Sequence, residues 1–184
     1  MPGRPAGMKV EDGLGVGIRR DAPVKLYPFL DYFRGFEDNP AVREIFGDGA
    51  GTVLGGLKVE FFSSPFGYMG TSDQDGHLLV STHHLKTGDF KTLYLDVIHE
   101  LCHVKQHMDG RPLFSQEYEY VDNPTEVEAY LSTVKEARRI GLTDAEIIEY
   151  LKVEWISREQ HGRLVERMGI RLPHPTGTDR TTSR

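Results

Sequence analysis

The stretch DFKTLYLDVIHELCHVKQHM, residues 89–108, determines the predicted fold of the chain. Its apolar residues recur at intervals of three and four, the spacing that places side chains on one face of an α-helix. The members of this stripe are Leu93, Tyr94, Val97, Ile98, Leu101 and Cys102. Gly110 and Pro112 follow, and neither favours continuation of a helix. We therefore predict a long helix over residues 89–108, around which the domain packs.

Within this helix, His99 and His103 are four residues apart and lie one above the other on one face. Two imidazoles in that arrangement can share one metal ion. Glu100 is rotated by about 100° from His99, where its carboxylate could hold and deprotonate a water molecule without being a ligand. The alternative is a solvated, charged helix face with no ion. Because the motif falls on an independently predicted helix, we favour a metal centre with an adjacent general base.

A catalytic zinc ion has three protein ligands and one open position, so a third ligand must come from another part of the chain. We predict Glu126, in the sequence NPTEVEAY of residues 123–130. Asn123 and Pro124 indicate the start of a helix, and Glu126 occupies its third position. The small Ala129, on the same side of that helix, would let it approach the histidine helix closely enough for a short side chain to reach the metal.

Three alternatives to a Glu126 ligand are compatible with the sequence. Glu126 could complete a capping box with Asn123, because an acidic residue three positions after an N-cap is typical of that motif. Glu128 lies about 200° around the same helix, so only one of the two carboxylates can face the ion. Asp109 would match the third ligand of another group of zinc enzymes, but Gln106 stands where that group has a glycine. We favour Glu126.

Shorter elements are predicted before the long helix. Residues 24–33 have a helical spacing of apolar side chains, and Asn39-Pro40 indicates a second short helix through Phe46. The glycine-rich residues 47–56 are expected to interrupt the helical pattern. Three β-like segments separated by turn residues follow, at 57–62, 66–71 and 77–82. Because tight turns join antiparallel strands, we predict a small antiparallel sheet packed on the long helix.

The chain is predicted to form one α+β domain, residues 23–172, with further helices after the long one. A helix over residues 124–139 is followed by Thr143-Asp-Ala-Glu146, a capping box that begins a helical region reaching about residue 168. Trp155 in that region is expected in the core. Residues 1–22 and 173–184 combine Gly, Pro, Thr and charges with little periodicity, so we expect a flexible N-terminal arm and a flexible C-terminal tail.

The composition of the 184 residues disfavours several classes of protein. A formal net charge of −6 repels phosphate backbones, so we expect no nucleic-acid partner. No run of about 18 apolar residues exists, and we expect no membrane-spanning helix. Residues 1–20 lack the apolar segment of a signal peptide. The single cysteine, Cys102, cannot form an internal disulfide, which fits a reducing compartment, and we predict the cytoplasm.

The pattern His99-Glu100-x-x-His103 followed by Glu126-x-x-Ala129 resembles the gluzincin clan of zinc metallopeptidases, in particular its compact members, the minigluzincins and the ImmA/IrrE-type proteases. The resemblance covers residues 89–137. It implies a zincin-like fold in which His99, His103 and Glu126 bind Zn²⁺ and Glu100 is the catalytic general base. It also implies hydrolysis of peptide bonds in a protein or peptide substrate, and a sheet edge near residues 77–82 along which an extended peptide could lie.

The chain departs from the pattern of the larger gluzincins at one position. Those proteins have an aspartate four residues after the glutamate ligand, which orients a metal-bound histidine, and this chain has Tyr130 there. Asp96 and Asp122 are the alternatives for that orienting role. For the group that stabilises the oxyanion, Tyr130 and His161 are the additional catalytic candidates.

Two other classes of function share these residues. A non-catalytic zinc-binding module of the same fold, with a regulatory or protein-interaction role, would have its metal closed off by a fourth protein ligand. A metal-dependent hydrolase of a non-peptide amide would differ in its cleft alone. The Glu100 carboxylate favours a hydrolase, because a purely structural zinc site does not need a base beside the ion.

Overall fold

The computed structural model describes residues 8–10, 13–66 and 68–171, which form short strands and helices. The strands are β1 Met8–Val10, β2 Gly17–Arg19, β3 Leu26–Pro28, β4 Phe33–Arg34, β5 Lys58–Phe62, β6 Met69–Thr71 and β7 Leu78–Ser81. The helices are α1 Pro40–Phe46, α2 Ala50–Gly56, α3 Thr82–Thr87, α4 Phe90–Met108, α5 Pro124–Arg139, α6 Asp144–Tyr150 and α7 Arg158–Arg167. The protein is α+β, as predicted.

The strands form two small sheets, and the larger one is mixed. The smaller sheet has the order β1-β2-β4 and is antiparallel, whereas the larger has the order β3-β5-β7-β6. In the larger sheet β5 and β7 are parallel, with Val59 opposite Leu78, so the prediction of an all-antiparallel sheet is wrong. The hairpin turn joins β6 to β7, and β7 then inserts between β6 and β5. The short turn between β6 and β7 correctly predicted that this pair is antiparallel. It did not predict that β7 would lie between β6 and β5.

The same strand order corrects the predicted sheet edge. Residues 77–82 contain β7, which is paired on both sides, with β5 and with β6. The edge strands of this sheet are β3 and β6, and β6 contacts α4. A peptide that extended this sheet beside α4 would therefore pair with β6 and not with β7.

The N-terminal part of the domain differs from the prediction. Residues 13–22 are not a flexible arm, because β2 pairs with β4 and both Val16 and Ile18 are buried in the core. The predicted helix over residues 24–33 is replaced by β3, a 3-10 turn and β4. The glycine-rich residues 47–56 continue in helical form as a 3-10 turn and α2. Residues 1–7, 11–12 and the predicted tail 173–184 lie outside the described residues.

Helix α4 lies at the centre of the domain, between β6 and α5. Its predicted bounds are confirmed: the Asp89 side chain caps its N-terminus by accepting from the amides of Lys91 and Thr92, and nearly every turn contributes buried side chains. The predicted α5 is likewise confirmed, capped by Asn123. Within the described residues, no helix has the length and apolar character required to cross a membrane.

The C-terminal helical region is divided in two. The Thr143 and Glu146 capping box begins α6 as predicted, but α6 ends at Tyr150, and α7 starts only at Arg158. Trp155 lies in the connecting segment and is 55% exposed, so its predicted place in the core is wrong. This segment and α6 together form one wall of the cavity described below.

Candidate metal centre

The histidines and Glu126 come together because α4 and α5 pack against each other over a long contact. His99, Glu100 and His103 lie on buried turns of α4, and Glu126 lies in the first turn of α5. The Asn123 side chain caps α5 by accepting from the Thr125 amide. Glu126 is thus directed towards the histidines instead of completing a capping box.

The three side chains form a compact triangle of ligand atoms. Nε2 of His99 and Nε2 of His103 are 3.1 Å apart. Oε2 of Glu126 is 3.3 Å from Nε2 of His99, and Oε1 is 3.5 Å from Nε2 of His103. All three residues are buried, with exposed fractions of 6%, 5% and 3% for His99, His103 and Glu126.

These distances fit a bound divalent cation. Two ligand atoms about 2.1 Å from one tetrahedral zinc ion lie about 3.4 Å from each other. Two imidazole Nε2 atoms at this distance repel each other through their lone pairs unless a proton or a metal ion lies between them. Oε2 of Glu126 is also buried without a hydrogen-bond partner within the described residues. A two-histidine, one-carboxylate set is among those that bind catalytic zinc.

The charges of the triangle stabilise one another. Burial alone raises the pKa of Glu126, but its close contacts and charge interactions with His103 and His99 outweigh burial and hold it at about 2. Burial lowers the pKa of His103, while contact with Glu126 and the charge of Glu100 raise it to about 9. The pocket therefore favours a positive charge at the position where the three ligand atoms converge.

Glu100 lies beside the triangle and outside it. Its carboxylate is buried, and burial raises its pKa in spite of the nearby charges of His103 and His99. The Thr71 hydroxyl, from the edge strand β6, donates to Oε2 of Glu100 at 2.9 Å. A carboxylate with a raised pKa is a stronger base than one in water, which suits a group that takes a proton from a water molecule.

Gln106 orients His103. Its Oε1 is 2.8 Å from Nδ1 of His103, and its Nε2 donates to the Thr125 carbonyl at 3.0 Å. Asp96 and Asp122, which we considered for an orienting role, have other partners. Asp96 contacts His84 and Tyr150, and Asp122 pairs with two arginines of α7, Arg163 and Arg167.

A cavity of about 570 Å³ opens beside His99 and Glu100. It runs between α4 and α6 towards the segment that contains Trp155. Its walls are partly aromatic, and these residues are Tyr68, Tyr120, Tyr130, Tyr150 and Trp155. The Tyr130 ring lies 4.4 Å from the His99 ring, measured between centroids. The Tyr130 and Tyr120 hydroxyl oxygens are 3.0 Å apart. Tyr130 therefore lies beside the candidate metal ligand His99.

The remaining candidates are engaged outside the triangle. Glu128 contacts Gln106 and Arg111, and Asp109 pairs with Lys105 at 2.5 Å near the end of α4. Nε2 of His161 lies 2.9 Å from the Ile148 carbonyl, and His161 is not among the residues that line the cavity. The structure therefore does not place His161 where it could stabilise an oxyanion in this cavity.

Sequence analysis missed two polar partners of the centre. Gln106 lies three residues after His103, a spacing at which helical side chains meet, so its contact could have been anticipated. Thr71 is 29 residues before Glu100 and belongs to another element, and no local pattern indicates the contact. No family model, curated protein or solved structure matches the chain. The residues of the centre are therefore the basis on which a function is assigned.

Proposed function

We propose that this protein is a zinc-dependent metallopeptidase of the compact gluzincin type, with a zincin-like fold. His99, His103 and Glu126 would bind the zinc ion, and Glu100 would be the general base. The observation that carries the proposal is the buried triangle of three ligand atoms, with a carboxylate beside it at the wall of a cavity. Within the described residues, the cluster comprises three ligands, which leaves one position of a tetrahedral ion for water.

The residues supply complementary chemistry. A zinc ion held by these ligands would lower the pKa of a water molecule bound to it and polarise the carbonyl of the scissile bond. Glu100 takes a proton from the attacking water and transfers it to the leaving amine. Tyr130 is the remaining candidate from the sequence for stabilising the oxyanion, because its ring packs on His99 at the cavity wall.

An extended protein or peptide segment is the substrate that this arrangement favours. The edge strand β6 packs on α4 next to Glu100, and an extended segment could add to the sheet along β6. The side chain of Met69 in β6 lines the same cavity as Glu100, so strand and base share one surface. The single, buried Cys102 further supports our proposal of a reducing compartment such as the cytoplasm.

Peptide cleavage by zinc-loaded protein tests this function. Wild-type protein and the Glu100→Gln variant are incubated with a peptide library, and products are identified by mass spectrometry. We expect zinc-dependent cleavage by the wild type and a loss of at least about 100-fold in the variant, which retains zinc. Glu159→Gln, the same change at an exposed position, is the matched control.

Two outcomes would contradict the proposal. Cleavage by Glu100→Gln at the wild-type rate would exclude Glu100 as the base. Stoichiometric zinc without any cleavage, together with a fourth protein ligand in a metal-bound crystal structure, would instead support a non-catalytic regulatory or protein-interaction module.

A further inference from the structure

Thr71 connects the sheet edge to the candidate base. Its Oγ1 lies 2.9 Å from Oε2 of Glu100 and 3.2 Å from the Glu100 backbone carbonyl oxygen. Thr71 is 4% exposed, so water does not compete for these contacts. The hydroxyl has one hydrogen to donate, and the nearer, negatively charged Oε2 is the stronger acceptor.

The backbone of Thr71 is held independently of α4. Thr71 is the last residue of β6 and is paired with Leu78 of β7. The next amide, of Ser72, donates to the His77 carbonyl at 2.8 Å. The hydroxyl is therefore presented from a fixed sheet position, and it restricts the rotation of the Glu100 carboxylate about its terminal bond.

A carboxylate held at one oxygen presents the other in a defined direction. Glu100 lines the cavity, and its Oε2 is occupied by Thr71, so Oε1 is the oxygen left for a reacting water molecule. Precise orientation of a general base lowers the barrier, because proton transfer requires donor and acceptor to be aligned.

We propose that Thr71 is a positioning residue that orients Glu100 for proton transfer through its hydrogen bond to Oε2. The role rests on the proposed peptidase function, since it presupposes that Glu100 is the base. It also means that the strand on which an extended substrate would lie carries the group that orients the base.

Thr133 shows what an ordinary buried threonine does in this protein. It is fully buried, and its hydroxyl donates to the Ala129 carbonyl one turn earlier in α5, at 2.8 Å. That contact stays within one helix and involves no catalytic candidate. Thr133→Val is therefore a matched control for the loss of a buried hydroxyl.

The test compares Thr71→Val, Thr71→Ser and Thr133→Val in zinc-loaded protein. For Thr71→Val we expect kcat to fall about tenfold to a hundredfold, with KM and zinc content unchanged. Thr71→Ser keeps the hydroxyl and should retain most of the activity, and Thr133→Val should keep the wild-type kcat. Thr71→Ala replaces Thr71→Val if the valine variant does not fold. A Thr71→Val kcat equal to that of the wild type would overturn the proposal.

A second measurement tests the contact without using activity. Thr71→Val and Glu100→Ala are combined in a double-mutant cycle of unfolding by urea. We expect non-additive effects for this pair and additive effects for Thr133→Val with Glu100→Ala. Additivity in the Thr71 cycle would show that the hydrogen bond is absent. A third result separates the two proposals: the wild type cleaves no peptide, but the cycle shows coupling. The peptidase proposal then fails, and the positioning role fails with it. The hydrogen bond between Thr71 and Glu100 remains as a structural contact.

Discussion

Nδ1 of His103 lies 2.8 Å from Oε1 of Gln106, and this contact determines which nitrogen of the ring is free to bind a metal. The amide of Gln106 is held in one orientation, since its Nε2 donates to the Thr125 carbonyl. Oε1 must then accept a hydrogen bond from His103, which places the ring proton on Nδ1. Nε2 is then the nitrogen that faces the triangle with His99 and Glu126, and its lone pair becomes available to a metal ion when its proton is lost.

Replacement of Gln106 by methionine should weaken zinc binding without abolishing it. The loss of a partner that orients a ligand typically reduces metal affinity about tenfold to a hundredfold. Competition with a chelator of known affinity measures the change. Gln116→Met, the same substitution at an exposed position of the loop after α4, should bind zinc as the wild type does. Equal affinities for the two variants would contradict the orienting role.

Zinc binding should release a proton near neutral pH. The contacts of His103 raise its pKa to about 9 in the metal-free protein, so the residue carries a proton at pH 7 that zinc must displace. Because the folded pKa lies above the ordinary value of about 6.5, apparent zinc affinity should rise by up to about tenfold per pH unit and level off near pH 9. Calorimetry in buffers of different ionisation enthalpy counts the protons released. A binding enthalpy independent of the buffer would contradict this prediction.

Removal of zinc should lower the stability of the protein, and Glu126 should be necessary for that effect. At a free zinc concentration of 100 times Kd, one site adds about 2.7 kcal/mol to the free energy of unfolding. Thermal unfolding with and without chelator measures this difference. In Glu126→Ala the difference should largely disappear. In Glu128→Ala, which removes the rival carboxylate on the exposed side of α5, it should persist. The reverse result would assign the ligand to Glu128.

The elements of the centre could be predicted because their signals are local. Asn123 caps α5 as predicted from the residues around it, and the predicted start of α4 at residue 89 coincides with its N-cap, Asp89. The approach of Glu126 to the histidines was predicted from the four-residue spacing of His99 and His103 and from the small Ala129 on α5. Each of these features depends on neighbours within one or two helical turns.

The N-terminal part could not be predicted in this way. Phe29 and Phe33 are four residues apart and both fully buried, as on a helix, yet they belong to a 3-10 turn and to β4, with rings stacked at 4.9 Å. What forms a strand at β3 is its pairing with β5, in which Tyr27 lies opposite Val59. Such a contact joins distant parts of the chain, and tertiary pairing overrides local periodicity.

Loss of the Tyr94 hydroxyl should destabilise the fold without removing the metal. Tyr94, on α4, donates to the buried carboxylate of Glu136 in α5 and accepts from the side-chain amide of Asn39, the N-cap of α1, at 2.8 Å. Tyr94→Phe leaves the Asn39 amide without this partner and Glu136 with only its ion pair to Arg139. Unsatisfied buried polar groups cost about 1–3 kcal/mol. Urea unfolding of the zinc-loaded protein should show a loss of that size.

Tyr118→Phe, at a half-exposed tyrosine, is the control and should change the free energy of unfolding little. Both variants should contain one zinc ion per chain. An unchanged unfolding midpoint for Tyr94→Phe would mean that the hydroxyl does not join α1, α4 and α5.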